Sequence, residues 1–400
     1  MIHLEAPASP SRLAGIVRAL PVPRDASAYT VAIGLAIVWI AFQVLNQNFL
    51  SARNLSNLML QIAVLGTLAV GMVMVLVLGE IDLSVGAIAG VSAATLAILI
   101  TNAGVPAGVA ILAALLVGAA IGLVHGSIIT AFGIPSFIVT LAGLLVWQGV
   151  QLALVGDGGE IPIRDTFIRG IASTYVTPWF GWVLASAAVL GVVVFRLHRR
   201  RRRLRTSLAV AAITTEVTAI VGIGVSVAAV TWVLNSYFGI PWVLVVVLAL
   251  VVACSVLMNE TRFGRHLYAI GGNREAARRS GIRVRATTIS VFVIISAIAA
   301  MAGIIEASRQ FSASNALGGG TLQLNAIAAA VIGGTSLFGG RGRVYQAILG
   351  ALVVGSVQNG LDLLGQPAAI KNIATGVILV IAVVVDAVGR RRRIAKGSTD

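Results

Sequence analysis

Six acidic residues fall in or beside strongly apolar segments of this 400-residue chain. They are Glu80, Asp82, Glu216, Glu306, Asp362 and Asp386. An ionised carboxylate is costly at membrane depth, so such groups often line the pathway of an ion or solute. Glu80 and Asp82 occur together in "LGEIDLSVGAIAG", and Glu216 lies eight to nine residues into its predicted segment. Glu306 and Asp386 lie near predicted segment ends, where water solvates them. The remaining acids would suit a proton-coupled carrier.

Two glycine-rich breaks in the apolar segments suggest a second kind of chemistry. In the stretch 78–90 the glycines permit a broken helix, and Asp82 and Ser84 are predicted to cap the next helix. The run "VIGGTSLFGGRGR" (331–343) places glycines around Thr335 and Ser336. Broken helix ends of this kind suit neutral polar solutes. Close packing between helices explains glycine clusters equally well, so both interpretations stay open.

Motifs for ATP hydrolysis and metal catalysis are missing from the sequence. A P-loop requires G-x-x-x-x-G-K-[ST], in which the lysine reaches the outer phosphates and the hydroxyl holds Mg²⁺. The chain has two lysines, Lys371 and Lys396, and neither is followed by Ser or Thr. Its four histidines are scattered, Cys254 is its single cysteine, and no G-x-S-x-G elbow occurs. We therefore predict that the chain is not an enzyme and holds no metal or cofactor.

The stretch "YAIGGNREAARRSGI" (268–282) predicts a short polar helix between apolar segments. Asn273 is a good N-cap, Glu275 lies favourably in the first turn, and Gly281 can end the helix. The helix is too polar to enter the hydrocarbon core. A solvated loop, an anchor for lipid headgroups and a docking element for a cytoplasmic partner are the three interpretations that its residues leave open.

The elements that must position these residues are helices that cross a membrane. Of the 400 residues 58% are hydrophobic and 11% are charged, far below the roughly 25% charge of a soluble domain. Several apolar runs reach the roughly 20 residues that a spanning helix needs, without the strict alternation of barrel strands. We predict an all-α polytopic membrane protein with about 12 hydrophobic segments. They are 29–46, 55–79, 83–102, 105–131, 135–155, 179–197, 208–234, 240–258, 287–308, 324–338, 344–364 and 367–389.

Clusters of arginine predict the orientation of the chain, because cytoplasmic loops collect Arg and Lys. The clusters lie at 199–205, 259–286 and 390–393, and an even number of spans with both termini in the cytoplasm puts all three inside. The formal net charge of +15 is thereby explained without nucleic acid, which would need interleaved aromatic residues for stacking. The predicted domains follow. They are a cytoplasmic tail (1–28), one transmembrane domain (29–389) with a cytoplasmic loop (259–286), and a basic cytoplasmic tail (390–400).

Four sequence blocks support a more specific assignment. They are "GEIDLSVGAIAG" (79–90), "GIPSFIVTLAGLL" (133–145), "TRFGRHLYAIGGNREAARRSGIRV" (261–284) and "LNAIAAAVIGGTSLFGGRG" (324–342). Together and in this order they resemble the permease subunits of bacterial monosaccharide ABC importers. The chain length and the arginine turn at 198–205 look most like the xylose permease branch. The resemblance implies a subunit of the bacterial cytoplasmic membrane that translocates a monosaccharide, with a pentose such as xylose expected, and is driven by a separate ATPase.

The resemblance also assigns roles to residues. The family's coupling segment, which docks in a cleft of the ATPase, is matched by Gly271, Gly272, Asn273, Glu275, Ala276, Ala277, Ser280 and Gly281. Segments near the family's translocation pathway are matched by Asp82, Ser84, Phe137, Thr140 and Asn325. The partners implied are a cytoplasmic ATPase, an extracytoplasmic sugar-binding protein, a second permease copy in a homodimer, and membrane lipids.

One departure from the family pattern affects this interpretation. Many relatives carry two glycines before Ile-Asp-Leu-Ser, whereas this chain has Gly79 and Glu80. The local backbone path and the sugar preference therefore depend on what Glu80 does. The alternative function is a proton-coupled secondary transporter of small polar solutes that uses Glu216 or Glu80.

Overall fold

The computed structural model describes residues 26–206, 210, 212–319 and 321–395. The helices in this part of the chain are α1 (Ala26–Leu45), α2 (Ala52–Leu78), α3 (Val85–Thr101), α4 (Ala107–Phe132), α5 (Ser136–Val155), α6 (Thr166–Ser173), α7 (Pro178–Arg205), α8 (Ile213–Asn235), α9 (Trp242–Glu260), α10 (Arg262–Gly272), α11 (Arg274–Arg279), α12 (Val284–Gln310), α13 (Leu322–Ile332), α14 (Val344–Leu363) and α15 (Ala368–Ala395). The strands are β1 (Glu160–Pro162), β2 (Tyr175–Val176), β3 (Ile240–Pro241) and β4 (Ser312–Ser314). The all-α prediction is confirmed.

Eight helices among the described residues are long and apolar enough to cross a membrane. They are α2, α4, α5, α7, α8, α9, α12 and α14. Four shorter apolar stretches overlap the other predicted segments, namely Val31–Leu45, Val85–Thr101, Leu322–Ile332 and Ala368–Ile381. The polytopic prediction is therefore confirmed, while the count of 12 segments and the cytoplasmic position of both termini stay predictions.

Two segments begin or end elsewhere than predicted. Helix α8 begins at Ile213, which puts Glu216 in its first turn, 3.0 Å from the guanidinium of Arg196, nine residues before the end of α7. The prediction that Glu216 lies eight to nine residues into its segment is therefore wrong. Helix α13 ends at Ile332, because Gly334, Gly339 and Gly340 all adopt positive φ in the irregular segment that follows.

The predicted tails fall largely outside the described residues. Residues 1–25 of the N-terminal tail and 396–400 of the C-terminal tail are not described. Helix α15 continues to Ala395, so it enters the segment 390–400 that was predicted as a tail. The division into tails and one transmembrane domain stays a prediction.

Helices α2 and α12 form the centre of the bundle. Helix α12 packs along α2, α3 and α4, and α2 also packs against α13 and α14. In α2, 89% of the most apolar window is buried, against 11% in α7 and in α8. An apolar helix surface that no protein covers suits contact with lipid. Helices α7 and α8 therefore lie at the periphery of the bundle, and α2 lies in its core.

A stripe of glycines brings α4 against α12. Gly118, Gly122 and Gly126 recur every fourth residue, so they lie on one face of α4. A Cβ on Gly122 would overlap the carbonyl oxygen of Phe292, and one on Gly118 would lie 2.7 Å from the carbonyl oxygen of Ser296. Small residues let two helix backbones approach this closely within a membrane.

The irregular elements lie at the two ends of the bundle. Helices α10 and α11 immediately precede α12, and strand β4 immediately follows it. The 27 residues of α12 extend about 40 Å, so the two groups are far apart. Strand β4 pairs antiparallel with β1, and β2 pairs antiparallel with β3. Ser308 fastens α6 to this end, since its hydroxyl donates to Ile168 O at 2.6 Å and accepts from Ala172 N–H at 2.9 Å.

Candidate coupling surface and polar core

Helix α11 is a short, capped and exposed helix. The side chain of Asn273 accepts a hydrogen bond from Ala276 N–H at 2.9 Å, and Gly281 takes positive φ (82°) just after the helix. The predicted N-cap is confirmed. Glu275 lies 3.0 Å from both Arg278 and Arg279. Hydrogen bonds from Arg278 first and Arg279 second lower the pKa of Glu275, so this carboxylate stays ionised.

Most of the predicted coupling residues are open to a partner. Gly272, Asn273, Glu275, Ala276, Ser280 and Gly281 are exposed, whereas Gly271 is partly buried and Ala277 is buried. Ala277 packs into the main core cluster. One face of α11 therefore anchors the helix to the bundle and the other faces outward, as a docking element requires. Docking itself stays a prediction.

Three segments meet beneath α11, and we call them the coupling joint: 77–80, 268–274 and 339–342. Tyr268 donates its hydroxyl to Gly342 O at 2.7 Å, and Gly340 N–H donates to Val77 O at 2.8 Å. Gly271 lies so close to these backbones that a Cβ there would overlap Val77 O and approach Gly340 N at 2.6 Å. The joint thus connects the coupling segment to both glycine-rich breaks.

Glu80 adds an ion pair to the coupling joint. Its Oε1 lies 2.6 Å from Nη1 of Arg274, the first residue of α11. The Glu80 side chain is 13% exposed and that of Arg274 is 52% exposed. The bend of the chain is taken by Gly79, which has φ 84°. The departure from a double glycine is therefore accommodated, because the second position does not need positive φ.

Asp82 and Ser84 belong to a buried polar core between α2 and α3. Oδ1 of Asp82 accepts from Ser84 Oγ at 2.5 Å and from Ser84 N–H at 2.8 Å. The predicted cap by Ser84 is wrong, because its hydroxyl is directed to Asp82 and makes no bond to the first turn of α3. Within the described residues, Oδ2 of Asp82 has no hydrogen-bond partner.

His125 and Trp147 extend this core from α4 and α5. Trp147 Nε1–H donates to His125 Nε2 at 3.0 Å, so Nε2 must carry a lone pair. Nδ1 of His125 then carries the proton and faces Ser84 Oγ at 3.3 Å. The result is one directed chain of donors, running from Trp147 through His125 and Ser84 to Asp82, with the tautomer assigned from its partners.

The start of α5 holds the backbone of the same break. Ser136 Oγ accepts from Ile81 N–H at 3.0 Å, and Thr140 Oγ1 accepts from Leu83 N–H at 3.1 Å. These hydroxyls supply partners for buried backbone groups that no helix satisfies. The break at 79–84 is therefore a fixed structure held by α4 and α5.

The structure brings together only part of the predicted pathway set. Asp82, Ser84 and Thr140 meet in the polar core. Phe137 lies one turn before Thr140, but its side chain is 48% exposed on the surface of the bundle. Asn325 lies on α13 and lines a different cavity. The five residues do not form a single surface, and their pathway roles stay predictions.

Sequence reasoning missed His125, Trp147, Tyr268 and Arg274. The contact from Ser84 to His125 joins residues 41 apart, and it depends on how α4 packs against α3. No short-range sequence pattern indicates this contact. For Arg274 a signal existed, since an acid at position 80 within a membrane segment calls for a cationic partner. Among the described residues no group of His, Cys, Asp and Glu is arranged to hold a metal ion.

Comparison with known proteins identifies similar chains. A family model described as "Branched-chain amino acid transport system / permease component" matches residues 54–383. The xylose transport system permease protein XylH of Haemophilus influenzae is 37% identical over 365 residues, covering 91% of this chain and 97% of that protein. The ribose import permease protein RbsC of Bacillus subtilis is 35% identical over 354 residues, covering 88% of this chain and 91% of that protein. RbsC of Escherichia coli K12 is 32% identical over 354 residues, with coverages of 88% and 92%. No solved structure matches the chain.

Proposed function

Because this chain belongs to the ribose- and xylose-type permeases of bacterial ABC importers, we propose that it moves a pentose such as xylose inward while a separate ATPase supplies the energy. The chain is a multi-pass inner-membrane protein and a sugar-transport component. The names of its relatives support a sugar substrate, and the XylH proteins support xylose in particular. An extracytoplasmic sugar-binding protein, the ATPase and a second permease copy complete the proposed assembly.

The observation that carries the proposal is the coupling joint. Arg274, the first residue of the exposed helix α11, pairs with Glu80, and Tyr268 on the preceding helix α10 bonds to Gly342. A push on α11 by an ATPase therefore reaches 77–84 through Arg274 and 339–342 through α10. Interfaces of this packed kind switch between discrete arrangements. We propose that this switch opens the bundle to one side of the membrane at a time.

The same contacts weigh against the proton-coupled alternative. A carboxylate that carries protons through a membrane must exchange them with water and with the pathway. Glu216 lies in the first turn of α8 beside Arg196, and Glu80 lies beside Arg274. Each acid pairs with an arginine and lies at or beside the end of a helix. Neither has the position that a proton carrier within the span requires.

We propose that the chain crosses the membrane 12 times with both termini in the cytoplasm. Helix α13 begins shortly after β4, at the end of the bundle opposite α11, and the segment that follows it reaches the coupling joint at Gly340. The short helix and the irregular segment thus cross together as one unit. Because α13 and this segment count as one crossing, the arginines at 390–393 come on the same side of the membrane as α11, in agreement with the positive-inside rule.

Reversing the Glu80–Arg274 pair tests how the coupling joint transmits force. Arg274→Glu and Glu80→Arg each place like charges together, and each is expected to lower ATP-dependent uptake about fivefold. That factor corresponds to about 1 kcal/mol, the upper range for a pair with one exposed partner. The double variant Glu80→Arg/Arg274→Glu restores the opposite charges and is expected to recover most of the uptake. The measurement is the initial rate of sugar uptake by the reconstituted importer.

A matched variant separates this pair from a general charge effect. Arg262 is exposed on α10, in the same cytoplasmic loop, so Glu80→Arg/Arg262→Glu has the same total charge as the rescued double variant. We expect this combination to restore nothing, because Arg262 lies at the start of α10, 12 residues before Arg274, which pairs with Glu80. Equal recovery by both combinations would contradict a specific role for the pair.

A further inference from the structure

A polar cavity of about 370 Å³ lies between α2, α12, α13 and α14. Its polar lining residues are Gln61, Glu306, Arg309, Gln310, Asn325, Gln358 and Asp362. Val64, Leu65 and Leu322 supply an apolar side. The volume falls in the range of about 300 to 1,000 Å³ that small-molecule sites occupy, and those sites likewise combine apolar walls with a few converging polar groups.

The cavity lies at the end of the bundle opposite the coupling joint. Helix α12 leaves the coupling segment at Val284, and Glu306 and Gln310 come at its far end, about 40 Å of helix in all. Gln61 precedes the end of α2 by 17 residues, which corresponds to about 25 Å of helix. If α11 faces the cytoplasm, the cavity lies at the end of the bundle that faces outward.

Each charged side chain that lines the cavity has an oppositely charged partner. Arg309 donates to both carboxylate oxygens of Glu306, at 2.9 and 2.6 Å, and Gln310 donates to the same carboxylate. Asp362 pairs with Lys371 at 2.6 Å. An amino acid would need a free cation for its carboxylate and a free acid for its ammonium group. The cavity instead suits a solute without charge.

Three amide side chains that line the cavity can form hydrogen bonds with such a solute. Gln61 and Gln358 line the cavity from α2 and α14, and each amide offers both donors and an acceptor. Asn325 is only 4% exposed, and within the described residues its Oδ1 has no hydrogen-bond partner. A buried acceptor without a partner costs free energy until something donates to it. Hydroxyl groups, which donate and accept, match the amides of Gln61 and Gln358, and a hydroxyl that donates to Oδ1 of Asn325 would remove this cost.

We propose that this cavity is an outward subsite for the sugar, in which Gln61, Gln358 and Asn325 bind ring hydroxyls and determine which sugar enters. The proposal rests on the proposed function, and it adds the contacts by which the permease itself selects. A hydroxyl-rich ring places its C–H face against Val64, Leu65 and Leu322 while its edge meets the amides. Selection would then occur twice, first in the binding protein and again in the permease.

The test uses the complete importer in proteoliposomes, with D-xylose and its monodeoxy derivatives as probes. Gln61→Leu and Gln358→Leu keep the side-chain volume but remove the amide. Each is expected to reduce D-xylose uptake about tenfold, the effect of losing one hydrogen bond to the sugar. For each variant one deoxy derivative, lacking the hydroxyl that this amide binds, should be transported as well by the variant as by the wild type.

The control is Gln148→Leu, a change of the same type on α5 at a residue that does not line the cavity. It is expected to leave every rate unchanged. If a leucine variant does not assemble, Gln61→Asn and Gln358→Asn, which withdraw the amide by one methylene group, take its place. Binding of the ATPase to each variant reports whether the protein is folded.

The outcomes are distinguishable. A cavity variant that transports D-xylose at the wild-type rate would overturn the subsite. A variant that transports D-xylose and every deoxy derivative more slowly by the same factor would also overturn it, because that pattern indicates a structural role. If the wild type itself moves no sugar with ATP, the proposed function fails and the subsite fails with it. Loss of D-xylose uptake with one insensitive deoxy derivative supports the subsite.

Discussion

Gly271→Val is expected to reduce ATP-dependent sugar uptake to less than about a tenth of the wild-type rate. Gly271 is the point of closest approach in the coupling joint, and any Cβ there overlaps the carbonyl oxygen of Val77. Relieving that overlap requires α10 to move away from the end of α2. The hydrogen bond from Gly340 N–H to Val77 O then loses its geometry. The exposed helix would no longer be rigidly joined to the bundle that it is proposed to move.

The neighbouring glycine provides a matched control for this substitution. A Cβ on Gly272 meets no atom within 4 Å. Gly272→Val is therefore expected to leave the thermal stability of the purified permease unchanged, whereas Gly271→Val lowers it. Gly272 belongs to the predicted docking face, so ATPase binding is measured separately for both. Wild-type uptake and stability in Gly271→Val would contradict the role of the coupling joint.

Gly122→Val is expected to lower the stability of the bundle strongly. Gly122 is the middle residue of the stripe on α4, and a Cβ would overlap the carbonyl group of Phe292 on α12. Overpacking of this kind usually costs about 1 to 3 kcal/mol, and a clash with a backbone group lies at the upper end because no rotamer relieves it. We expect a clear fall in the melting temperature and in the yield of folded protein.

Gly149→Val controls for placing a β-branched residue inside a membrane helix. Gly149 is exposed on α5, and a Cβ there meets no atom within 4 Å. Both substitutions place the same valine side chain in a membrane helix, with the same cost in side-chain entropy. The difference between their melting temperatures therefore reports the contact between α4 and α12. An equal fall in melting temperature for Gly122→Val and Gly149→Val would contradict the close approach of these two helices.

The features that sequence predicted correctly depend on local chemistry. Apolar runs of sufficient length require helices, because no other open structure satisfies its backbone within lipid. Asn273 was identified as an N-cap because an amide oxygen before a helical run satisfies the first free N–H groups. The short polar helix between apolar helices follows from charged residues that hydrocarbon excludes. Each of these conclusions needs only a few neighbouring residues.

The features that sequence missed depend on packing between distant segments. The polar core joins Asp82 and Ser84 to His125 and Trp147, which come from two other helices. A search for paired histidines on one helix has no means of finding this arrangement. Glu216 was misplaced because the apolar pattern alone does not fix where α8 begins. Asn325 was grouped with Asp82, although the two lie at different places in the bundle.

The central claim is that this chain moves sugar only through work done by a separate ATPase. The most direct test measures D-xylose accumulation in proteoliposomes that hold the permease, the binding protein, the ATPase and ATP. Accumulation is expected to require an ATPase able to hydrolyse ATP and to persist when a protonophore collapses the proton gradient. Accumulation by the permease alone, driven by an imposed proton gradient, would contradict this claim.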